Sequence, residues 1–228
     1  MEVKRFIKNL FGILAILLIM QSSAFAAKEV ETTVPHQYPA KYTPEYIKQI
    51  SDGYKDIGKD EVFYVSVDML KETEGMFSSN AMLGNKLSRR PVKIEFRDLG
   101  LIKQEYATFD ALGWKKGKNL YIFINNKHKK APAGAIAALL AHEALHQDEF
   151  NSLAEETYAW TMEAFVWDEI LKIYPESNQE EYDLVKRENT LKKLLEKGNY
   201  TNQYIKKAVL QNSGYKNLPQ YSPGFDKL

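Results

Sequence analysis

One short run near the middle of the chain, Ala141-His142-Glu143-Ala144-Leu145-His146, constrains the fold more than any other. It reads His-Glu-x-x-His within an apolar stretch. On a helix, residues four apart share a face and lie about 6 Å apart along the axis. Two imidazoles at that spacing can reach one ion, each through a neutral ring nitrogen. Glu143 falls between them on the helical wheel and can address a metal-activated water without ligating the metal. The spacing predicts a helix from about Pro132 to Phe150, with Ile136, Leu139, Leu140, Glu143 and Phe150 on the inward stripe. A carboxylate on that stripe is costly without a cation. No Lys or Arg occurs between Ala131 and Glu169, so a metal in a cleft is the expected partner.

Two histidines and a water leave a tetrahedral site one protein ligand short. Asn151-Ser152 breaks the first helix. Ser152-Leu153-Ala154-Glu155 has the form of a capping box, a hydroxyl at the cap and a carboxylate three residues on. A second helix is expected from Ser152 to Ile173, stopped by Pro175. After so short a turn it must fold back antiparallel, bringing Glu155-Glu156 opposite His146. Glu155 has a competing role as the capping carboxylate, so Glu156 is the preferred third ligand and Glu155 the alternative. Glu149 sits ~10 Å along the axis from His142, too far to share the ion, and reads as an outer acid; Asp148 reads as solvated. The aromatic residues of the second helix read as core.

The N-terminus reads as an export signal. Lys4, Arg5 and Lys8 precede an apolar run of 11 residues, Leu10 to Met20, and Ala24-Phe25-Ala26 offers a cleavage site after Ala26. The run is too short to span a bilayer. The expected address is the cell envelope or exterior of a bacterium, with no stable membrane span after cleavage. What remains is one domain of about 200 residues, long enough for a proper core. It has no cysteine, so packing and metal must do what disulfides do elsewhere in exported proteins. A net charge of +1 and the lack of a Gly-rich phosphate loop argue against nucleic acid and nucleotides as partners.

Residues 27–42 hold two prolines and few aliphatics, and read as an extended arm; His36 there reads as solvated. Thr43-Pro44 should start a helix ending near Gly58. Glu61 to Leu70 is rich in β-formers and reads as a strand. Asp68 to Ser88 reads as loops with short helical turns. Pro91 to Asp98 alternates strictly and predicts a half-buried strand. Gln104 to Phe109 reads as another short strand, Gly113 to Lys118 as a basic turn, and Leu120 to Ile124 as a strand apolar on both faces. His128 lies in the polar loop between that strand and the motif helix, as a loop histidine on a basic surface or at the rim of the site. A charged helix to Lys197 follows, with Leu184, Leu191, Leu194 and Leu195 inward, ended by Gly198. Another helix spans Thr201 to Gln211, and 213–228 forms a loose or wrapping tail. The expected domain is thus 43–212, an α+β fold with a small mixed or antiparallel sheet on the active-site helix and a helical C-terminal half.

With these residues in view, the chain resembles the zincin-type metallopeptidases, in the gluzincin-like group whose third ligand is a glutamate. His142-Glu143-Ala144-Leu145-His146 matches the signature, and Glu156-Thr157-Tyr158-Ala159 resembles the Glu-x-x-Ala often found around the glutamate ligand. The resemblance covers about Asn119 to Trp167 and extends to compact secreted bacterial proteins read as metallopeptidases. It departs in one respect, a gap from His146 to Glu156 shorter than in the large families. It implies a Zn2+ ion, a peptide or protein substrate, Glu143 as general base, and Leu120–Ile124 as the edge strand lining the substrate cleft. It also implies a donor to the oxyanion, for which His128, Tyr158, Tyr200 and Tyr204 are candidates. The alternatives to a secreted peptidase are a non-catalytic metal-binding domain and a helical interaction domain of the envelope.

Overall fold

The computed structural model describes residues 36–84, 90–146 and 150–225. The expected signal peptide over 1–26, the arm before His36, Asp148, Glu149 and the end of the tail lie outside them. Seven α-helices and one three-stranded sheet occur among the described residues, which is the α+β class expected.

Helix α1 (Pro44–Tyr54) starts as its sequence dictates. The Thr43 hydroxyl accepts the Tyr46 N–H at 3.2 Å, and Pro44 takes the first position, where no N–H is needed. The helix stops at Tyr54, short of Gly58. Glu61–Leu70 forms helix α2, not the expected strand, and Val62 to Leu70 are all buried. A continuous apolar run carries no period that separates a core strand from a core helix, so packing decided the outcome. Ser66 donates to Ala133 O at 2.8 Å. Asp68 collects the phenol hydroxyls of Tyr42, Tyr46 and Tyr54 at 3.2, 3.3 and 2.6 Å. These phenols tie 36–42 and α1 to the core. His36, expected to be solvated, is half-buried and stacked on Tyr38 with centroids 5.9 Å apart. Helix α3 (Met76–Leu83) fills the stretch expected to hold loops and short helical turns.

Strands β1 (Lys93–Arg97) and β3 (Asn119–Asn125) match the two alternating segments, and they pair in parallel. Strand β2 (Ala111–Lys116) pairs antiparallel to β3, so the sheet order is β1-β3-β2. Three expectations are corrected here. Gln104 to Phe109 holds a single 3-10 turn, Gln104–Tyr106, and no strand. Most of the expected basic turn at Gly113 to Lys118 belongs to β2, because Leu112 and Trp114 sit opposite Phe123 and Tyr121. Such cross-strand pairs outweigh the poor strand propensity of glycine and lysine. Strand β3 is central, so the edge strand on the site side is β2.

Helix α4 (Ala133–Glu143) is buried along its whole length. Its small side chains let other elements approach its backbone, as at Gly134, where a Cβ would lie 2.7 Å from Ser177 Oγ and 2.8 Å from Ile170 Cγ2. Helix α5 (Leu153–Ile173) has Ser152 at its cap, accepting the Glu155 N–H at 3.1 Å. Helices α6 (Asp183–Lys197) and α7 (Gln203–Gln211) follow, with Gly198 ending α6 as expected. Leu191 and Leu195 of α6 join Ile205 and Val209 of α7 and Ala164 of α5 in a small second core. The tail then crosses the start of α5, where Pro219 and Gln220 carbonyls accept the Leu153 and Ala154 N–H groups at 2.9 and 3.1 Å. Helix starts leave such donors unpaired, so this part of the tail wraps the fold. No helix of the described residues is long and apolar enough to cross a membrane.

Candidate metal centre

His142 and Glu143 are the last two residues of α4. The helix expected through Phe150 stops there, and its hydrogen bonds tighten. Ala144 N still donates to Leu140 O, but Leu145 N and His146 N donate to His142 O and Glu143 O, three residues back, at 3.0 and 3.2 Å. His146 therefore sits in a turn beyond the helix. The two imidazoles nonetheless face each other, with ring centroids 5.1 Å apart.

Helix α5 runs back along α4. His146 meets Glu155, His142 meets Glu163, and Gly134 meets Ile170, a descending order on one helix against an ascending order on the other. Glu156 lies between the imidazoles. Its Oε2 is 3.7 Å from His142 Nε2 and its Oε1 is 3.7 Å from His146 Nε2. One donor atom from each of His142, His146 and Glu156 lies within 4.8 Å of the other two, a group that could hold a metal ion. Donors on a tetrahedral ion at ~2.1 Å bond lengths stand about 3.4 Å apart, close to this spacing.

The outward nitrogens are fixed by carboxylates. His142 Nδ1 is 2.9 Å from Glu163 Oε2, and His146 Nδ1 is 3.0 Å from Glu155 Oε1. A carboxylate at Nδ1 holds each ring so that Nε2 faces the centre, the orientation a metal-binding histidine requires. Glu155, the alternative ligand, thus holds His146, one of the expected ligands, and does not cap α5 through its carboxylate. Glu156 Oε1 accepts from Asn151 Nδ2, while Glu156 Oε2 is buried with no hydrogen-bond partner among the described residues. A buried carboxylate oxygen without a partner, 3.7 Å from His142 Nε2, fits a cation at that point.

Glu143 is buried, and burial pushes its carboxyl above the ordinary range against the pull of His142 and His146. Burial alone would lower His146, but the Glu155 hydrogen bond and the charges of Glu156 and Glu143 raise it to about 9. Four carboxylates around two imidazoles make the centre electronegative. Part of that charge is met by Arg187 of α6, whose guanidinium pairs with both oxygens of Glu163, with Glu188 at 3.0 Å, and through Nε with Asp110 at 3.1 Å. Burial and the nearby Glu163 charge push the Glu188 carboxyl well above the ordinary range.

A cavity of about 600 Å3 opens beside His142 and Glu143, walled by Asp110, Trp160, Arg187 and Tyr215. None of the expected oxyanion donors lines it. His128 is buried against Asp110, with Nε2 2.7 Å from Oδ1, and so is neither solvated nor at the rim. Tyr158 is exposed and packs on Phe225. Tyr200 packs on Phe165, and Tyr204 lies under Lys197. The hydroxyl at the site is that of Tyr215, which accepts from Trp160 Nε1 at 3.2 Å. Burial and the charges of Glu156 and Glu143 raise it, so it keeps its proton. Sequence reasoning missed Tyr215, which reaches the centre only through the course of the tail. It also missed Glu163, for which a signal existed: Glu163 stands seven residues after Glu156, two turns along the same face of an otherwise aromatic helix.

On the edge strand, a Cβ at Gly113 would lie 3.4 Å from His146 Cβ and 3.7 Å from Glu143 Oε2, so the sheet edge reaches the centre directly. No protein-family model, no curated protein and no solved structure matches this chain.

Proposed function

We propose that this chain is an exported zinc-dependent metallopeptidase of the zincin type, with His142, His146 and Glu156 as ligands and Glu143 as general base. The observation that carries the reading is the meeting of both Nε2 atoms with the Glu156 carboxylate, whose buried Oε2 has no hydrogen-bond partner, each imidazole held from behind by its own acid. That donor set, two imidazoles and one carboxylate, suits Zn2+ in a site left open for a reactant. A zinc ion held there supplies Lewis acidity to a water and to a substrate carbonyl.

The chain's own groups supply the rest. Glu143 takes a proton from the attacking water as its oxygen bonds to the carbonyl carbon. It then delivers that proton to the amine nitrogen as the carbon–nitrogen bond breaks. A carboxyl raised by burial is suited to both transfers. Tyr215, protonated and at the cavity wall, is placed to donate to the charge that develops on the carbonyl oxygen. Strand β2 offers an edge beside the centre, where an extended peptide can pair its backbone.

A peptide-library digest with and without chelator tests the reading. Chelation should abolish cleavage and zinc should restore it. Glu143→Gln should keep its zinc and lose cleavage by at least ~10²-fold. A purified chain with less than half an equivalent of zinc, or a Glu143→Gln variant as active as the parent, overturns the proposal.

A further inference from the structure

The C-terminal strap reaches the centre through Ser222, a buried hydroxyl on an otherwise irregular segment. Ser222 Oγ donates to Glu155 Oε2 at 2.7 Å and lies 2.9 Å from Ser152 Oγ. A hydroxyl has one proton. Ser222 gives its proton to the carboxylate, so the Ser152 hydroxyl is the donor in the serine pair. Ser152 Oγ in turn accepts the Glu155 N–H at 3.1 Å. The hydrogen bonds therefore close a ring: Glu155 N–H to Ser152, Ser152 to Ser222, Ser222 to the Glu155 carboxylate. The other carboxylate oxygen of Glu155 holds His146 Nδ1 at 3.0 Å.

This ring compensates for a weakness in the motif. His146 lies past the end of α4 and lacks the support that helix geometry gives His142. Glu155 sits in the first turn of α5, where its backbone is fixed but its side chain has several rotamers. The Ser222 hydroxyl selects one of them. The segment carrying Ser222 is itself fastened to α5 by the Pro219 and Gln220 carbonyls.

We propose that Ser222 is a positioning residue. Through Glu155 it sets the orientation of His146, and so makes tight metal binding depend on docking of the C-terminal strap. The inference rests on the metal reading above, and extends it to a residue some 66 positions beyond the third ligand. It predicts that loosening the strap releases metal before it unfolds the domain.

The test uses the full chain, Zn2+ titrated against a competing chelator, and Co2+ as a spectroscopic probe. Ser222→Ala should raise the Zn2+ dissociation constant about 10-fold or more, the range seen when groups supporting a metal ligand are lost. It should also change the visible Co2+ spectrum. Ser222→Thr keeps the hydroxyl and should stay within about threefold of the parent, between full retention and the loss expected of the alanine variant. Melting of the metal-free Ser222→Ala protein shows whether the fold is retained. If that melting falls, the cycle decides: Ser222→Ala placed in a Glu155→Ala background should cost no further affinity. A parent that binds metal and a Ser222→Ala variant that binds equally well overturn the inference and leave the metal reading standing. The same follows if Ser222→Ala costs as much without Glu155 as with it. A parent that binds no divalent cation overturns the metal reading and this inference with it.

Discussion

Glu163 serves two partners from one carboxylate. It orients His142 through Nδ1 and pairs with the half-buried guanidinium of Arg187. Removing its charge leaves the guanidinium with Asp110 and Glu188 alone and should cost about 1–3 kcal/mol. Glu163→Gln should therefore lower unfolding free energy by that amount in urea titration, and weaken Zn2+ binding by about 10- to 100-fold. Tyr215 makes a different prediction. Its hydroxyl accepts from Trp160 and interacts with the Glu156 carboxylate, so Tyr215→Phe should still bind zinc while kcat falls about 10²-fold. An unchanged kcat would remove Tyr215 from the mechanism. Asp110 adds a pH dependence. Burial would raise its carboxyl, but the His128 hydrogen bond and the charges of Arg187 and Lys127 hold it well below 3.8. A depressed carboxyl contributes stability above its unfolded pKa and loses it as pH falls. Asp110→Asn should thus cost about 2 kcal/mol at pH 7, and the gap to the parent should narrow below about pH 4.

At the scale of elements, the centre depends on how closely α4 and α5 approach. Each helix supplies part of the proposed ligand set, and the two pack tightly at Gly134. A methyl there would meet Ser177 and Ile170 at less than 3 Å. Neither neighbour is the free end of a long side chain, so the helices must part. Gly134→Ala should cost about 1–3 kcal/mol in chemical denaturation. It should also lower zinc affinity although Gly134 lies about two turns from His142. Intact metal binding together with lost stability would show that the ligands tolerate a shift of the whole helix. The end of α4 carries a related lesson. A continuous helix was expected to present both imidazoles, yet a tightened turn presents the second, and the carboxylate of Glu155 orients it.

For the molecule as a whole, the proposed metal would be linked to the fold. Four acids converge with two imidazoles in the interior, and a cation that binds only the folded chain stabilises it by mass action. At 100 times the dissociation constant this amounts to about 2.7 kcal/mol, or about 5–10 °C in melting midpoint for a chain of this size. Zinc should raise the midpoint and chelator should reverse the rise; a midpoint insensitive to both would separate the acidic centre from metal binding. Export is checked by sequencing the N-terminus of the released protein, expected at Ala27.

Much of the site was legible in the sequence, because helical periodicity is local. His142, Glu143 and His146 declare a shared purpose within five residues, and the Ser152 cap with the short turn before it fixes how α5 returns. Those two facts brought Glu155 and Glu156 opposite the histidines; the preference for Glu156 rested on a capping role for the Glu155 carboxylate, which instead meets His146 Nδ1 and Ser222. The alternating strands β1 and β3 were legible for the same reason, since a period of two needs only neighbours. Tertiary structure decided what lacked a period or lay far along the chain. Glu61–Leu70 is mostly apolar with no clear period, and burial of Val62 to Leu70 in the packed fold made it a helix. Strand β2 was hidden by its glycine and lysines until aromatic partners on β3 gave it a place. Arg187, Tyr215 and Ser222 reach the centre from the last quarter of the chain, and nothing in their immediate neighbours marks them, because a contact between distant segments is set by packing and not by local spacing.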